Sequence, residues 1–331
     1  MLPRRNLIAT GIGLAAGLAA PAIRRATAKG GQSLRIGYIL PQQSQLGAGA
    51  TAFADAIAKR TGGRLAVQQF PDSTLGGDVE LAKGVQLGSI DLAFVTGMGI
   101  PSVLPELGVL NIPFLFNGVP HAHAVLDGPI GESFRARFAA KDLVLLGWGE
   151  NGLRHITNSK RPIVTPDDLK GLKMRVPQSE VLLMGFQALG VDTATLAFPQ
   201  LFEALRAGKF DGQENPIATI QAAKFDQVQK FLTLSGHAYD PAAFIMSQDA
   251  YDELSTEDKA IFADAAKAGG LASRKFAGDA QTAGVVALQQ AGMTLQPSID
   301  GGSFASAMAS ANVEFEKRFG RDLIERIRQA G

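Results

Sequence analysis

The order of apolar segments predicts an α/β protein. Short apolar runs of strand character recur between stretches with helical spacing, the pattern of a sheet covered by helices. Glycine is frequent, at 38 residues in a chain of 331, as many strand-to-helix turns require. Hydrophobic residues make up 46% and charged residues 19%, which supplies ample core for about two domains of ordinary size.

The N-terminus reads first as a processing segment. Twin arginines, Arg4 and Arg5, precede an uncharged run of small and apolar residues over 7–20, and Ala26-Thr27-Ala28 offers an A-x-A cleavage site. The run falls short of the roughly 20 apolar residues of a membrane span. Residues 1–28 are therefore expected to be a secretory signal, and Arg4-Arg5 ahead of a weakly hydrophobic Gly/Ala stretch favours the twin-arginine type. Cleavage would remove four arginines and no acid, moving the formal charge from +1 to −3.

Residues 33–39 alternate between Gly and Pro boundaries and predict a strand. Helical spacing over 48–60 stops before Thr61-Gly62-Gly63. A strand over 65–70, a helix over 78–87 and a strand over 90–95 follow. This alternation implies a parallel sheet, whose ligands sit beyond the carboxyl ends of its strands. Residues 41–45, 70–73 and 96–98 then share one rim, lined by the uncharged Gln42 and Gln43 and by Thr96. A helix is expected over 121–140, a strand over 143–148, and a domain crossing at Glu150-Asn151-Gly152. A second α/β unit follows, with strands over 173–176 and 192–196, helices over 179–189 and 199–207, a strand-like segment from Asp211, and a helix over 218–225. Strands over 230–235 and 243–247, one long or broken helix over 256–288, a strand over 293–296 and mostly helix over 303–329 complete the chain.

Composition narrows the chemistry. A formal charge of +1 with no basic run longer than two residues gives no sign of nucleic-acid binding. The absence of cysteine excludes disulfides, thiolate metal sites and cysteine nucleophiles. The four histidines make no metal set, since His121 and His123 fall where helix is expected. Gly97-Met98-Gly99 lacks the context of a dinucleotide loop, and neither G-x-S-x-G nor H-E-x-x-H occurs. A cofactor-carrying exported enzyme is thus a poor competitor to a binding protein, and no cofactor is expected.

Two positions stand out. Arg175 lies between Met174 and Val176 on an apolar strand, where an inward arginine costs several kcal/mol unless paired. It either grips a ligand carboxylate with two parallel hydrogen bonds, forms a structural ion pair, or faces solvent on an edge. Asn215 is restrained to extended backbone by Pro216, and serves either a turn or a ligand.

The stretch over 154–216 resembles the substrate-binding protein of a TRAP transporter, the DctP type. The resemblance rests on PDDLKGLKMRVP at 166–177 and FEALRAGKFDGQENP at 202–216. It is supported by TGGR at 61–64, FPDSTLGG at 70–77 and IPFLF at 112–116, and extends over residues 33–331. It implies two α/β lobes facing across a central ligand cleft, with hinge crossings and a long helix spanning both. Lobe I would comprise 33–151 plus 241–281, and lobe II 152–240 plus 282–331. It implies that Arg175 clamps a substrate carboxylate, that Asn215 contacts the same group, that Phe198 lies against the ligand and that Arg154 is a second basic position. His237 and Tyr239 correspond to residues of relatives for dicarboxylates. Thr96 stands where sialic-acid-binding relatives have an acid, which argues against that ligand. The implied protein is a periplasmic, monomeric receptor that is not an enzyme and hands a small organic acid to membrane subunits. A four-carbon dicarboxylate is the first expectation, and a monocarboxylate or 2-oxo acid the alternative. A receptor for a sensor kinase would have the same soluble chain.

Overall fold

The computed structural model describes residues 32–330, so the expected signal over 1–28 lies outside the described residues. The chain begins with β1 (Gln32–Gly37), α1 (Gln45–Arg60), β2 (Leu65–Phe70), α2 (Asp78–Gln86) and β3 (Leu92–Thr96). Helices α3 (Gly118–Asp127) and α4 (Pro129–Ala139) lead into β4 (Leu143–Asn158). The second unit holds β5 (Lys173–Val176), α5 (Glu180–Ala188), β6 (Asp192–Thr195), α6 (Leu201–Arg206), β7 (Gly212–Pro216) and α7 (Ile217–Ala222). Then come β8 (Phe231–Ser247), α8 (Gln248–Asp252), α9 (Thr256–Gln290) and β9 (Thr294–Gln296). Helices α10 (Gly301–Ala307), α11 (Ala309–Phe319) and α12 (Arg321–Gln329) end the described chain.

Local signals set several of these boundaries. Ser44 caps α1, its hydroxyl accepting from the Gly47 N–H, and Leu46, Ala50, Phe53 and Ile57 give the helix one buried stripe. Pro129 occupies the first turn of α4, so the helix expected over 121–140 is two helices broken at Gly128. The helix expected over 256–288 is unbroken and runs Thr256–Gln290, 35 residues, started by the Ser255 cap.

The nine strands of the described residues join one sheet, ordered β2-β1-β3-β8-β4-β7-β5-β6, with β9 added beside β8. The flanks are parallel as expected, but the centre is not. Strands β3, β4 and β7 all run antiparallel to their neighbours along β4 and β8. The turn-like composition at Glu150-Asn151-Gly152 is a register irregularity inside one continuous strand, with Gly152 at φ +133°. Likewise the strands expected over 230–235 and 243–247 are one strand of 17 residues running through Pro241. A proline is tolerated there because the ladder is irregular at that point.

These two long strands divide the sheet into lobes. Residues 143–149 of β4 pair with 242–247 of β8, beside β3 and the first lobe. Residues 154–158 of β4 pair with β7 and with the early part of β8, beside the second lobe. Helix α9 lies along both, with Ile261, Phe262 and Ala265 in the first lobe's core and Leu288 in a cluster with Leu201, Ile217 and Ile220. From the C-terminal helices, Phe315, Ile324 and Ile327 enter the first lobe's core, while Phe304 and Met308 pack in the second.

Candidate functional site

A cavity opens between the lobes at the strand ends, with about 370 Å³ of empty space including its mouth. Ile39, Asp78, Val79, Thr96, Met98 and Gly99 line it from the first lobe. Arg154, Arg175, Pro177, Gln178, Phe198 and Asn215 line it from the second, and Asn151 from the crossing. The lobes approach closely: a Cβ placed on Gly77 would stand 3.6 Å from Cδ of Pro199.

Arg175 reaches this cavity from β5 and is 1% exposed. Its Nε and Nη2 both donate to the Leu196 carbonyl, at 2.9 and 2.6 Å. A guanidinium has five N–H donors in a fixed fork, so three remain, including those of the Nη1–Nη2 edge. Among the described residues no carboxylate pairs with it. Burial lowers its pKa to about 9, against the fields of Glu214 and Asp78. Asn215, on β7, donates from Nδ2 to Gln213 Oε1 at 2.5 Å, which leaves its second amide hydrogen and its carbonyl oxygen. Phe198 adds an apolar wall and packs edge-on against Phe225 at 6.3 Å between centroids.

Arg154 lines the same cavity in a different electrostatic condition. Its Nε and Nη2 grip Glu214 at 2.6 and 2.8 Å, and Nη1 reaches Asp240 Oδ2 at 2.6 Å. A further bond goes to the Glu214 carbonyl, so one N–H remains. Burial works against the Arg154 charge, but the two carboxylates outweigh it and raise its pKa. Burial would raise Glu214, yet Arg154 brings it down to about 2. Asp240 is pushed up by burial to about 6. The second cation that sequence reasoning reserved for a ligand is therefore neutralised by two acids of the protein.

The other expected residues divide. Thr96 lines the cavity with its backbone N–H and hydroxyl turned to Asp78, at 3.0 and 2.9 Å. Gln42 and Gln43 are exposed and do not line it. His237 is buried in the second lobe, bonded through Nε2 to Glu214 and through Nδ1 to Ser235. Tyr239 donates to Glu150 at 3.2 Å. Both are held by buried partners of the protein and stand outside the cavity lining.

Asp78 was not foreseen. As the first residue of α2 it resembles an ordinary acid at a helix start, and only tertiary packing turns it to the cavity. Gly99 makes this possible, since a Cβ there would come within 2.3 Å of Asp78 Cβ. Burial raises the Asp78 pKa to about 7, against the hydrogen bonds from Thr96.

Two lobes sharing a sheet, joined by long strands and enclosing a small cavity, have the form of a solute-binding receptor. The chain belongs to the DctP family, bacterial extracellular solute-binding protein family 7, whose model matches residues 36–318. A TRAP periplasmic solute binding protein from Polaromonas sp. JS666, solved bound to D-erythronate, is 43% identical and superposes with a TM-score of 0.89. The match covers 90% of this chain and 98% of that one. A sugar acid binding protein from Advenella mimigardefordensis, in complex with galactonate, is 34% identical with a TM-score of 0.87, covering 90% and 97%. A TRAP periplasmic solute binding protein from Sulfurospirillum deleyianum with bound succinate is 28% identical with a TM-score of 0.85, covering 90% and 99%.

Proposed function

We propose that this protein captures a short hydroxylated monocarboxylate of the aldonate type in the periplasm and delivers it to the membrane subunits of a TRAP transporter. One observation carries the choice of ligand. Arg175 is the one cavity guanidinium without a carboxylate among the described residues, whereas Arg154 is spent on Glu214 and Asp240. The Nη1–Nη2 edge of Arg175 suits a single carboxylate held by two parallel bonds. Asn215 offers a further donor beside it, and Phe198 and Met98 supply apolar walls for a short carbon chain. Among the described residues, a second carboxylate would find no unneutralised cation in the cavity lining. The solved relatives bound to D-erythronate and galactonate, at 43% and 34% identity, are more similar to this chain than the succinate-bound one at 28%, and support this reading.

The four-carbon dicarboxylate expected from the sequence is the second reading. It is favoured by the relative with bound succinate and by the last free N–H of Arg154. Capture of the acid closes the cleft by the ligand's stronger contacts in the closed state. Thermal melting of the purified chain with D-erythronate, galactonate, succinate and malate tests the choice. D-Erythronate or galactonate should raise the melting temperature well above either dicarboxylate. An equal or larger rise with succinate would overturn the aldonate reading and leave the dicarboxylate one standing.

A further inference from the structure

Asp78 is the acid of the ligand cavity whose bonding capacity the fold leaves incomplete. It stands on the first lobe, while Arg175 and Asn215 stand on the second. Each carboxylate oxygen takes one hydrogen bond, Oδ1 from the Thr96 N–H and Oδ2 from the Thr96 hydroxyl. Each oxygen therefore keeps acceptor capacity. Asp78 is partly buried and lines the cavity. Thr96, 2% exposed, and the close packing of Gly99 on Asp78 Cβ fix the carboxylate in place. Arg175 feels the field of Asp78, so the cavity is cationic at one wall and acidic at the other.

A ligand that satisfies both walls carries a carboxylate at one end and hydrogen-bond donors at the other. Resting on the monocarboxylate reading above, we propose that Asp78 is the specificity-determining residue of the cleft. Its carboxylate accepts hydrogen bonds from the ligand's hydroxyl groups and turns away a second carboxylate. Arg154 and Asp240, the other charged groups acting on Asp78, do not change this, because Arg154 is already balanced by Glu214 and Asp240. A ligand with two carboxylates meets like charge at Asp78 unless it brings a proton with it. An apolar chain leaves the Asp78 acceptors without a donor, which a site built for hydroxyls penalises strongly.

Titration calorimetry on the full chain tests the assignment with D-erythronate, butyrate (the same carbon chain without hydroxyls) and succinate. At pH 8, where the Asp78 carboxyl is ionised, Asp78→Asn should weaken D-erythronate by about tenfold to a hundredfold, the worth of one hydrogen bond to a charged group. Butyrate, which has no hydroxyl to lose and no longer strands a charged acceptor, should bind the variant no more weakly, and the preference for D-erythronate over succinate should narrow by at least the same factor. An unchanged preference in Asp78→Asn would overturn the role of Asp78 and leave the aldonate reading intact. An unmutated protein that prefers succinate would instead overturn the aldonate reading. If the variant does not fold, the unmutated protein still decides the matter. Titrations in two buffers of different ionisation enthalpy should show more proton uptake with succinate than with D-erythronate, and equal uptake would reject the assignment.

Discussion

Arg175 and Arg154 line one cavity, yet their removal should have opposite signatures. For Arg175→Ala the ligand loses the two bonds of the guanidinium fork. Hydrogen bonds to charged groups are worth about 1.5–3 kcal/mol each, so the expected loss is about 3–6 kcal/mol, or roughly 150- to 20,000-fold in Kd. The free protein should suffer far less. Truncation removes a buried cation that has no carboxylate partner, and this relief offsets lost packing and the two bonds to the Leu196 carbonyl. For Arg154→Ala the free protein itself should suffer, because Glu214 and Asp240 are left buried without their cation. Breaking a buried pair costs about 3–5 kcal/mol. Titration calorimetry gives the affinities, and thermal melting without ligand gives the stabilities. Wild-type affinity of Arg175→Ala for D-erythronate, galactonate or succinate would refute the carboxylate clamp. Equal melting of the two variants without ligand would refute the different charge balance of Arg175 and Arg154.

Further expectations follow from the same groups. The Asp78 pKa is raised to about 7, so the folded protein retains a proton that the unfolded chain releases from about pH 4 upward. The stability linked to this group is present at pH 4 and lost as pH rises toward and through 7. The melting temperature of Asp78→Asn relative to the unmutated protein should therefore climb across that window, and a flat difference would show that Asp78 titrates normally. Gly152→Ala should lose about 1–3 kcal/mol in urea denaturation, because φ +133° strains any side chain and the new Cβ would lie 3.0 Å from Pro216 Cβ. Wild-type stability would mean that the strand relaxes freely at this crossing. X-ray scattering should record a smaller radius of gyration with saturating D-erythronate, and identical curves for a demonstrated ligand would exclude lobe closure.

Much of the cleft was legible where the signal is local. The strand over 173–176 and the Pro-terminated stretch at Asn215 follow from short-range patterns, and both do reach the cavity. The fate of Arg154 was not legible, because Glu214 and Asp240 lie 60 and 86 residues away along the chain. The roles of His237 and Tyr239 were hidden for the same reason, since their partners Glu214 and Glu150 come from other strands. The continuity of β4 and β8 was masked by Gly152, Gly236 and Pro241, which read as turn residues and are absorbed by an irregular ladder. Asp78 gave no warning, because an acid in the first turn of a helix has a sufficient local explanation.

The two long strands also bear on how such a cleft can be rebuilt. Neither half of it is a contiguous piece of chain. The sheet begun by β1 is completed only by residues 242–247 of β8, and the second lobe's sheet borrows 154–158 from a strand rooted in the first. One wall of the cavity therefore cannot be cut out and grafted from another receptor as a cassette. New ligand preference has to arise by point replacement at the rim, one side chain at a time, with the stitched scaffold held constant.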